Sequence, residues 1–546
     1  MDRRGYRGSA GVLAWLGYAL LLVGWLAATP PFQAPDEVSH YVRTWGLADG
    51  QVLGLAPQPP TPPADVANDP ARLASFWWAF ETTTFVSMPE HLVPQSRDCA
   101  RNAAEPATCV DLAPETRQDR RNVSTNTGTT SPTSVAAPAA LVRLGDSDTE
   151  ALAWARVGGL LGVLATLGVT LLALAPLGRR VLPGLALGLT PMAVYLGAVL
   201  NPSGQEVWLA LACLALSWRM LHAGGSRWWV AAAAGPAMLL PLGRQPGAVW
   251  ALMALGAAIL LQPDVVAAVR TRWPALLAWG SAYLSGLGLG ILWNTRTQVE
   301  TPVAADNLGG ASAELVGRIP MLLRHAVGEF NLFEFPLPRT MTVGWVLLVI
   351  VVVAWGAFGP PVPTAATRVA GRLAGPWTVL GTLAFAAAFW VFSYQHTGFD
   401  LQGRHLLPGL VLVPVVAIMA RPLPLWSGSV MAIAAAGGQA IAWFLTARRF
   451  AVGTSGPLVF WTDAAWDPAG GWVPWMVLVT TGVVLLAAAA LPSASRNVSP
   501  AGAAGRLGRG TPRGRRPAAA SASRPAPGRW PAWGSRGAVR SGRSLR

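Results

Sequence analysis

The chain has 546 residues, 52% of them hydrophobic and only 12% charged, with a formal net charge of +15. This composition excludes an ordinary water-soluble protein, and unbroken apolar runs without strand-like alternation exclude a membrane β-barrel. The charge says little about nucleic acid, because twelve arginines and no acidic residue lie between Leu491 and Arg546, leaving about +3 elsewhere.

A spanning helix needs ~20 mostly apolar residues. Segments 10–29, 151–175, 182–200, 204–221, 228–243, 246–262, 274–294, 341–359, 377–394, 404–420, 425–446 and 473–491 approach or reach that length. The expected fold class is therefore all-α, a polytopic transmembrane helical bundle of about twelve spans with a helical first outer loop. Residues 1–9 form a short cytoplasmic start, 10–491 the transmembrane domain, and 492–546 an Arg-rich tail. The first span resembles a signal peptide, but its apolar part is long and further spans follow, so it reads as a retained anchor.

The stretch after it, "PPFQAPDEVSHYVRTWGLADG", sets two adjacent carboxylates, a histidine and an arginine at the membrane exit. Pro35 suits a first helical turn, and acids there favour the positive end of the helix dipole. If residues 36–48 are helical, Asp36, His40 and Arg43 share one stripe and are expected to face water. Val38, Tyr41, Val42 and Trp45 take the opposite stripe, with Glu37 at the border. Two readings stand side by side: a polar site, or simple capping and structural ion pairing.

Loop 30–150 carries Cys99 and Cys109, which can bridge if it faces an oxidising compartment. Cys213, in an apolar run, reads as inert packing. Arg156 lies just inside the second span and Glu206 just inside the fourth, after "NPSGQ". Spans five and six meet at "GRQPG", either as two short spans or as re-entrant segments. In loop 295–340, Leu315, Val316, Ile319, Leu322, Leu323, Ala326 and Val327 follow helical spacing against Glu314, Arg318 and Arg324. That pattern predicts an amphipathic helix in the interface, kinked or started at Pro320. Arg404 and His405 open the tenth span in "QGRHLLPG". Loop 447–472 and its border supply Trp461, Trp466, Trp472 and Trp475, which suit an aromatic belt. The tail is rich in Gly, Ala, Pro and Ser, cannot bury a core, and its arginines suit anionic headgroups.

Short cytoplasmic loops retain positive charge. With both termini inside, Arg3, Arg4, Arg7, Arg179, Arg180, Arg219, Arg227, Arg270, Arg272, Arg368, Arg372 and Arg421 all fall on the inner side. The exceptions are Arg244 and the Arg448–Arg449 pair. Ionisable residues near span ends thus converge on the outer face, where buried charge marks function or pairing.

The segments "PPFQAPDEVSHYVRTWGLADG", "LTPMAVYLGAVLNPSGQEVWLALACLAL" and "QGRHLLPGLVLV" together resemble the bacterial membrane family called domain of unknown function 2142. That family is similar to the GT-C glycosyltransferases, multispan enzymes that use lipid-linked sugars and keep an acidic motif in the first outer loop. The resemblance implies a bacterial plasma-membrane transferase with a polyprenyl-phosphate sugar donor, a cell-envelope acceptor and membrane lipids around it. Asp36 and Glu37 match the acidic position, although the Asp-x-Asp pattern of familiar members is missing.

Such a reaction needs a carboxylate to accept the acceptor proton and a cation to neutralise the departing phosphate. Asp36 is the candidate base, with Glu37 as alternate or metal ligand. Arg404 is the leading phosphate clamp, because guanidinium grips phosphate oxygens as a fork. His40, Arg43, Arg156, Glu206 and His405 are further substrate-binding candidates. A divalent cation, Mg or Mn, is plausible between carboxylate and phosphate. A transporter of a lipid-linked precursor and a non-catalytic assembly scaffold are the competing classes. No Walker loop, His-Glu-x-x-His motif or Gly-x-Ser-x-Gly elbow occurs in the chain.

Overall fold

The computed structural model describes residues 3–492 except 59, 96–101, 111, 113–114, 118, 223–225, 298–307, 331–333, 361–368 and 397–400. Cys99 and the tail beyond Pro492 lie outside the described residues. In chain order the helices begin with α1 (Arg3–Ala28), α2 (Glu37–Ala48), α3 (Ala64–Ala67) and α4 (Pro70–Thr82). The short strands β1 (Thr84–Pro89) and β2 (Arg120–Thr125) follow, and then α5 (Ala136–Leu141), α6 (Asp148–Leu174), α7 (Leu182–Gly188) and α8 (Pro191–Ala198). Next come α9 (Pro202–His222), α10 (Arg227–Gly243), α11 (Gly247–Leu260), α12 (Val265–Thr297) and α13 (Leu308–Gly328). A two-residue pair, β3 (Glu329–Phe330) and β4 (Phe335–Pro336), precedes α14 (Arg339–Phe358), α15 (Val369–His396), α16 (Leu407–Ala420), α17 (Leu425–Val452) and α18 (Trp472–Ala490).

Each of the twelve predicted segments is helical, but among the described residues only seven helical stretches are long and apolar enough to cross a membrane. The 14-residue α11 and α16 are apolar but short, about 21 Å at 1.5 Å per residue against a ~30 Å hydrocarbon core. The third predicted span is not one helix: α7 stops at Gly188, and Thr190 starts α8 by accepting a bond from the Ala193 amide at 3.2 Å. Pro191 follows Thr190 at the first helical position, a pairing that favours a helix start over a through-going helix.

Helices α7, α8, α9 and α16 are buried nearly all round and form the centre, as expected where no face is polar. The outer helices carry apolar side chains outward, for example Leu284 on α12, Leu347 on α14, Leu380 on α15 and Val484 on α18. Such a surface is stable only against hydrocarbon. The molecule is a helical membrane protein.

The first long loop is not wholly helical. β1 and β2 pair antiparallel, Thr84 opposite Thr125, and the segment around them covers α2. Tyr41 donates to the Leu92 carbonyl at 3.0 Å. Thr125 and Thr127 hydroxyls both donate to the Ser39 carbonyl, at 2.8 and 3.0 Å. Cys109 is disulfide-bonded, and Cys213 is free and buried, as its apolar surroundings predict.

Two sequence expectations change on packing. The amphipathic helix exists as α13, with Pro320 inside it, yet Leu322, Ala326 and Val327 bury against protein while Val316 and Ile319 stay exposed. Its carboxy-terminal half is docked by the Thr190 hydroxyl, which donates to the Ala326 carbonyl at 2.7 Å. Trp466 and Trp472 are not belt residues. They stack edge-on with ring centres 5.5 Å apart, inside a cluster with Trp443, Phe450 and Phe460.

Candidate functional site

The site is built on the strap between α1 and α2. Arg156, from the third turn of α6, reaches into it and is buried. Its Nη1 donates to the Thr29 carbonyl at 2.7 Å and its Nη2 to the Pro30 carbonyl at 3.0 Å. The same guanidinium grips Glu37 through Nε at 2.8 Å and Nη2 at 2.6 Å. The Leu200 amide donates to Glu37 as well, at 3.1 Å. A second tie comes from "NPSG": the Asn201 amide donates to the Pro35 carbonyl at 2.9 Å, and its Oδ1 accepts from the Ser203 amide that opens α9.

Held from both sides, the strap turns sharply. Phe32 and Asp36, with φ of 62° and 57°, are the non-glycine residues in the left-handed region among the described residues. Asp tolerates that region better than most residues, but it is unusual and favours sites where the surroundings over-determine the backbone. At the amino end of α2 the Asp36 side chain makes no capping bond. Instead it meets Arg404, 368 residues away, whose Nη2 donates to the carboxylate at 2.5 Å. The Asp36 side chain is 45% exposed, whereas that of Arg404 is 7% exposed.

Arg404 sits in a single 3-10 turn, Gly403–His405, ahead of α16. Gly403 is needed there: a Cβ would lie 2.1 Å from the Leu322 carbonyl oxygen and 2.7 Å from the His325 Cβ. The backbone of α13 therefore packs directly on the residue before Arg404. The Gly403 amide points at His325 Nδ1 at 3.4 Å, and His325 Nε2 lies 3.3 Å from the Glu329 carboxylate.

His40 follows one turn after Asp36 and is buried. Burial pushes its imidazole down to about 4, against the opposing pull of Asp36, so the ring is neutral at neutral pH. Burial alone would raise the Asp36 carboxyl, but Arg404 and His40 outweigh it and hold the carboxyl below its ordinary value. His405 is close enough to Asp36 to interact with it electrostatically, and its ring lies 5.7 Å from that of Phe389.

The predicted residues thus divide. Asp36 and Arg404 meet, flanked by His40 and His405. Glu37 and Arg156 pair behind them. Glu206 pairs with Arg244 at 2.9 Å. Arg43 lies apart, donating to the Val52 and Thr130 carbonyls at 2.7 and 2.9 Å. The expected water-facing stripe of Asp36, His40 and Arg43 is corrected here: His40 and Arg43 are buried and Val38 is 42% exposed. The Val52 and Thr130 loop carbonyls enclose Arg43, while β1 packs Val86 and Met88 on the Tyr41, Val42 and Trp45 side of the helix.

Arg244 is the residue that sequence reasoning passed over. It acts electrostatically on His40 and Arg404, and the signal for it was its break with the charge bias of short loops. The other exceptions have local causes: Arg448 donates to the Gly456 and Pro457 carbonyls, and Arg449 to that of Asn102.

A multi-pass helical membrane protein with a half-buried Asp–Arg pair at a helix boundary is the class that fold and site define. The chain matches the family described as "Predicted membrane protein (DUF2142)" over residues 19–413 and belongs to it. That stretch contains every site residue discussed above and ends before α17. No curated protein and no solved structure matches the chain.

Proposed function

We propose that the protein is a GT-C-type glycosyltransferase of the bacterial plasma membrane. In this reading its termini are cytoplasmic, about twelve helices span or enter the bilayer, and the Asp36 face lies at the outer leaflet. The donor is a polyprenyl-phosphate sugar and the acceptor a hydroxyl of the cell envelope. The observation that carries the reading is the Asp36–Arg404 pair. It combines a half-exposed carboxylate with a guanidinium matched to phosphate, where a lipid-borne phosphate would emerge.

The chemistry follows from that pairing. An arriving phosphate competes with Asp36 for Arg404. As the guanidinium shifts to phosphate, Asp36 loses its main stabilising partner and its proton affinity rises. The acceptor oxygen then bonds to the sugar C1, the C1–O bond to phosphate breaks, and the electron pair leaves on the polyprenyl phosphate. The acceptor proton passes to Asp36. His40, buried one turn along α2, acts on the carboxylate electrostatically.

Glu37 and Arg156 position the strap and do not react, since both Glu37 oxygens are engaged. Arg43 serves the same structural purpose in the loop. A Mg or Mn ion has a poor donor set, because Glu37 is taken by Arg156 and Asp36 faces cations. Among the described residues no group of three His, Cys, Asp or Glu side chains converges, and no step is routed through a metal.

The second reading, a transporter of a lipid-linked precursor, draws on the broken pairs α7–α8 and α10–α11, since interrupted helices line many transport sites. A scaffold without turnover is the third. A panel of labelled polyprenyl-phosphate sugars with envelope acceptor tests the first: transfer by wild type, and transfer about 10²–10⁴ slower by Asp36→Asn, is expected. Donor flux in acceptor-free vesicles, with no transfer in any pairing, would replace it with the second.

A further inference from the structure

A cavity of ≈ 330 Å³ lies between α6, α9, α10 and the segment Thr133–Ala137. Its size falls within the ~300–1,000 Å³ of small-molecule sites. One end is polar, formed by Gln205, Glu206 and Arg244, and the rest is largely apolar, with Val163, Leu209 and Leu239 in its wall. On α6 the lining runs from Gly162 to Thr166, about 6 Å along the helix axis. A wholly water-soluble ligand gains little from so apolar a wall. An amphiphile with one charged head and a hydrocarbon chain fits it.

The charged head can be named from Arg244. Its Nη1 donates to Ser203 Oγ and to the Glu206 carboxylate, both at 2.9 Å. Its Nε and Nη2 make no hydrogen bond among the described residues. The side chain is 28% exposed. One edge of the guanidinium is thus fixed by Glu206 while the other remains available for a bidentate phosphate contact. Arg244 also lies near enough to Arg404 to act on it electrostatically, so the polar end of the cavity is the end nearer the Asp36–Arg404 site.

We infer that this cavity is the subsite for the phosphate-proximal hydrocarbon of a polyprenyl phosphate, with Arg244 as a second phosphate clamp held in place by Glu206. The inference rests on the proposed transferase reading for the identity of the lipid. It adds the path of the chain and two residues that position the head. A phospholipid shares the phosphate-on-hydrocarbon chemistry, and the test separates the two.

Gly162 provides a clean block. A Cβ there meets only the Ala137 Cβ at 3.8 Å, so a side chain can start from Gly162 without a backbone clash, and Gly162→Leu puts its bulk into the slot that Gly162 lines. The full chain in nanodiscs is photolabelled with a diazirine-bearing polyprenyl phosphate, without acceptor, and labelled peptides are mapped. Label is expected on α6 and α10 near Gly162 and Leu239. Unlabelled polyprenyl phosphate competes, a hundredfold excess of phosphatidylglycerol does not, and Gly162→Leu lowers labelling at least tenfold. Arg244→Gln keeps the label but erases the preference for polyprenyl phosphate over polyprenol. Label elsewhere, equal competition by phosphatidylglycerol, or indifference to both variants overturns the inference. Because no turnover is needed, labelling here without sugar transfer would instead count against the transferase reading alone.

Discussion

Asp36 and Glu37 are neighbours in sequence, each pairs with an arginine, and the two pairs have opposite physical characters. Glu37 is buried with Arg156 in a net of bonds to Thr29, Pro30 and Leu200 that leaves neither oxygen spare. Asp36 meets Arg404 at 2.5 Å, with nearly half its side chain exposed. Asp36 takes a left-handed conformation just ahead of α2 and Glu37 opens the helix, so one step along the chain separates a structural bolt from a reactive contact. A fully satisfied buried pair cannot change partners without leaving charge uncompensated. A half-exposed pair can.

The comparison is broken or sharpened by substitution. Asp36→Asn is expected to lower transfer by about 10²–10⁴, the range of a lost general base. Its stability should fall by about 1–3 kcal/mol, because Arg404 is buried although water reaches Asp36. Glu37→Gln should do the reverse, costing about 3–5 kcal/mol of stability by stranding Arg156 while the surviving folded fraction keeps its specific activity. Thermal unfolding beside the transfer assay reads both. Equal behaviour of the two variants would dissolve the distinction.

A smaller effect is expected at Gly403. The Cβ of Gly403→Ala collides with α13, shifting Arg404, so donor KM should rise about tenfold, or ~1.4 kcal/mol, with less change in kcat. The smallest effect is on pH. His40 is held at about 4 by burial, below the ~6.5 of an unfolded histidine. The unfolded state therefore binds more protons between those values, and stability is lost as pH falls from about 6.5 toward 4. His40→Gln should show a shallower fall in Tm between pH 7 and 5 than wild type.

Much of this arrangement was legible in the sequence. Asp36 and Arg404 each sit where a polar stretch meets an apolar run, and topology alone brings such boundaries to one face. Which acid pairs with which arginine was not legible, because it depends on the strap's turn at Phe32 and Asp36. Nor was the burial of His40 and Arg43, since a helical wheel carries no information about a distant segment folding over it. The break at Thr190–Pro191 had a readable cap signature inside a hydrophobic run. Arg244 announced itself as a charge in the wrong loop, and its meaning emerged only beside Arg404.

The account stands most directly on one paired measurement: donor affinity and single-turnover rate for wild type and Asp36→Asn in the same nanodiscs. Unchanged or tighter donor binding with a rate at least about 10² lower is predicted, because Arg404 is freed for phosphate while the proton acceptor is lost. A mutant that binds donor normally and turns over at the wild-type rate would contradict it.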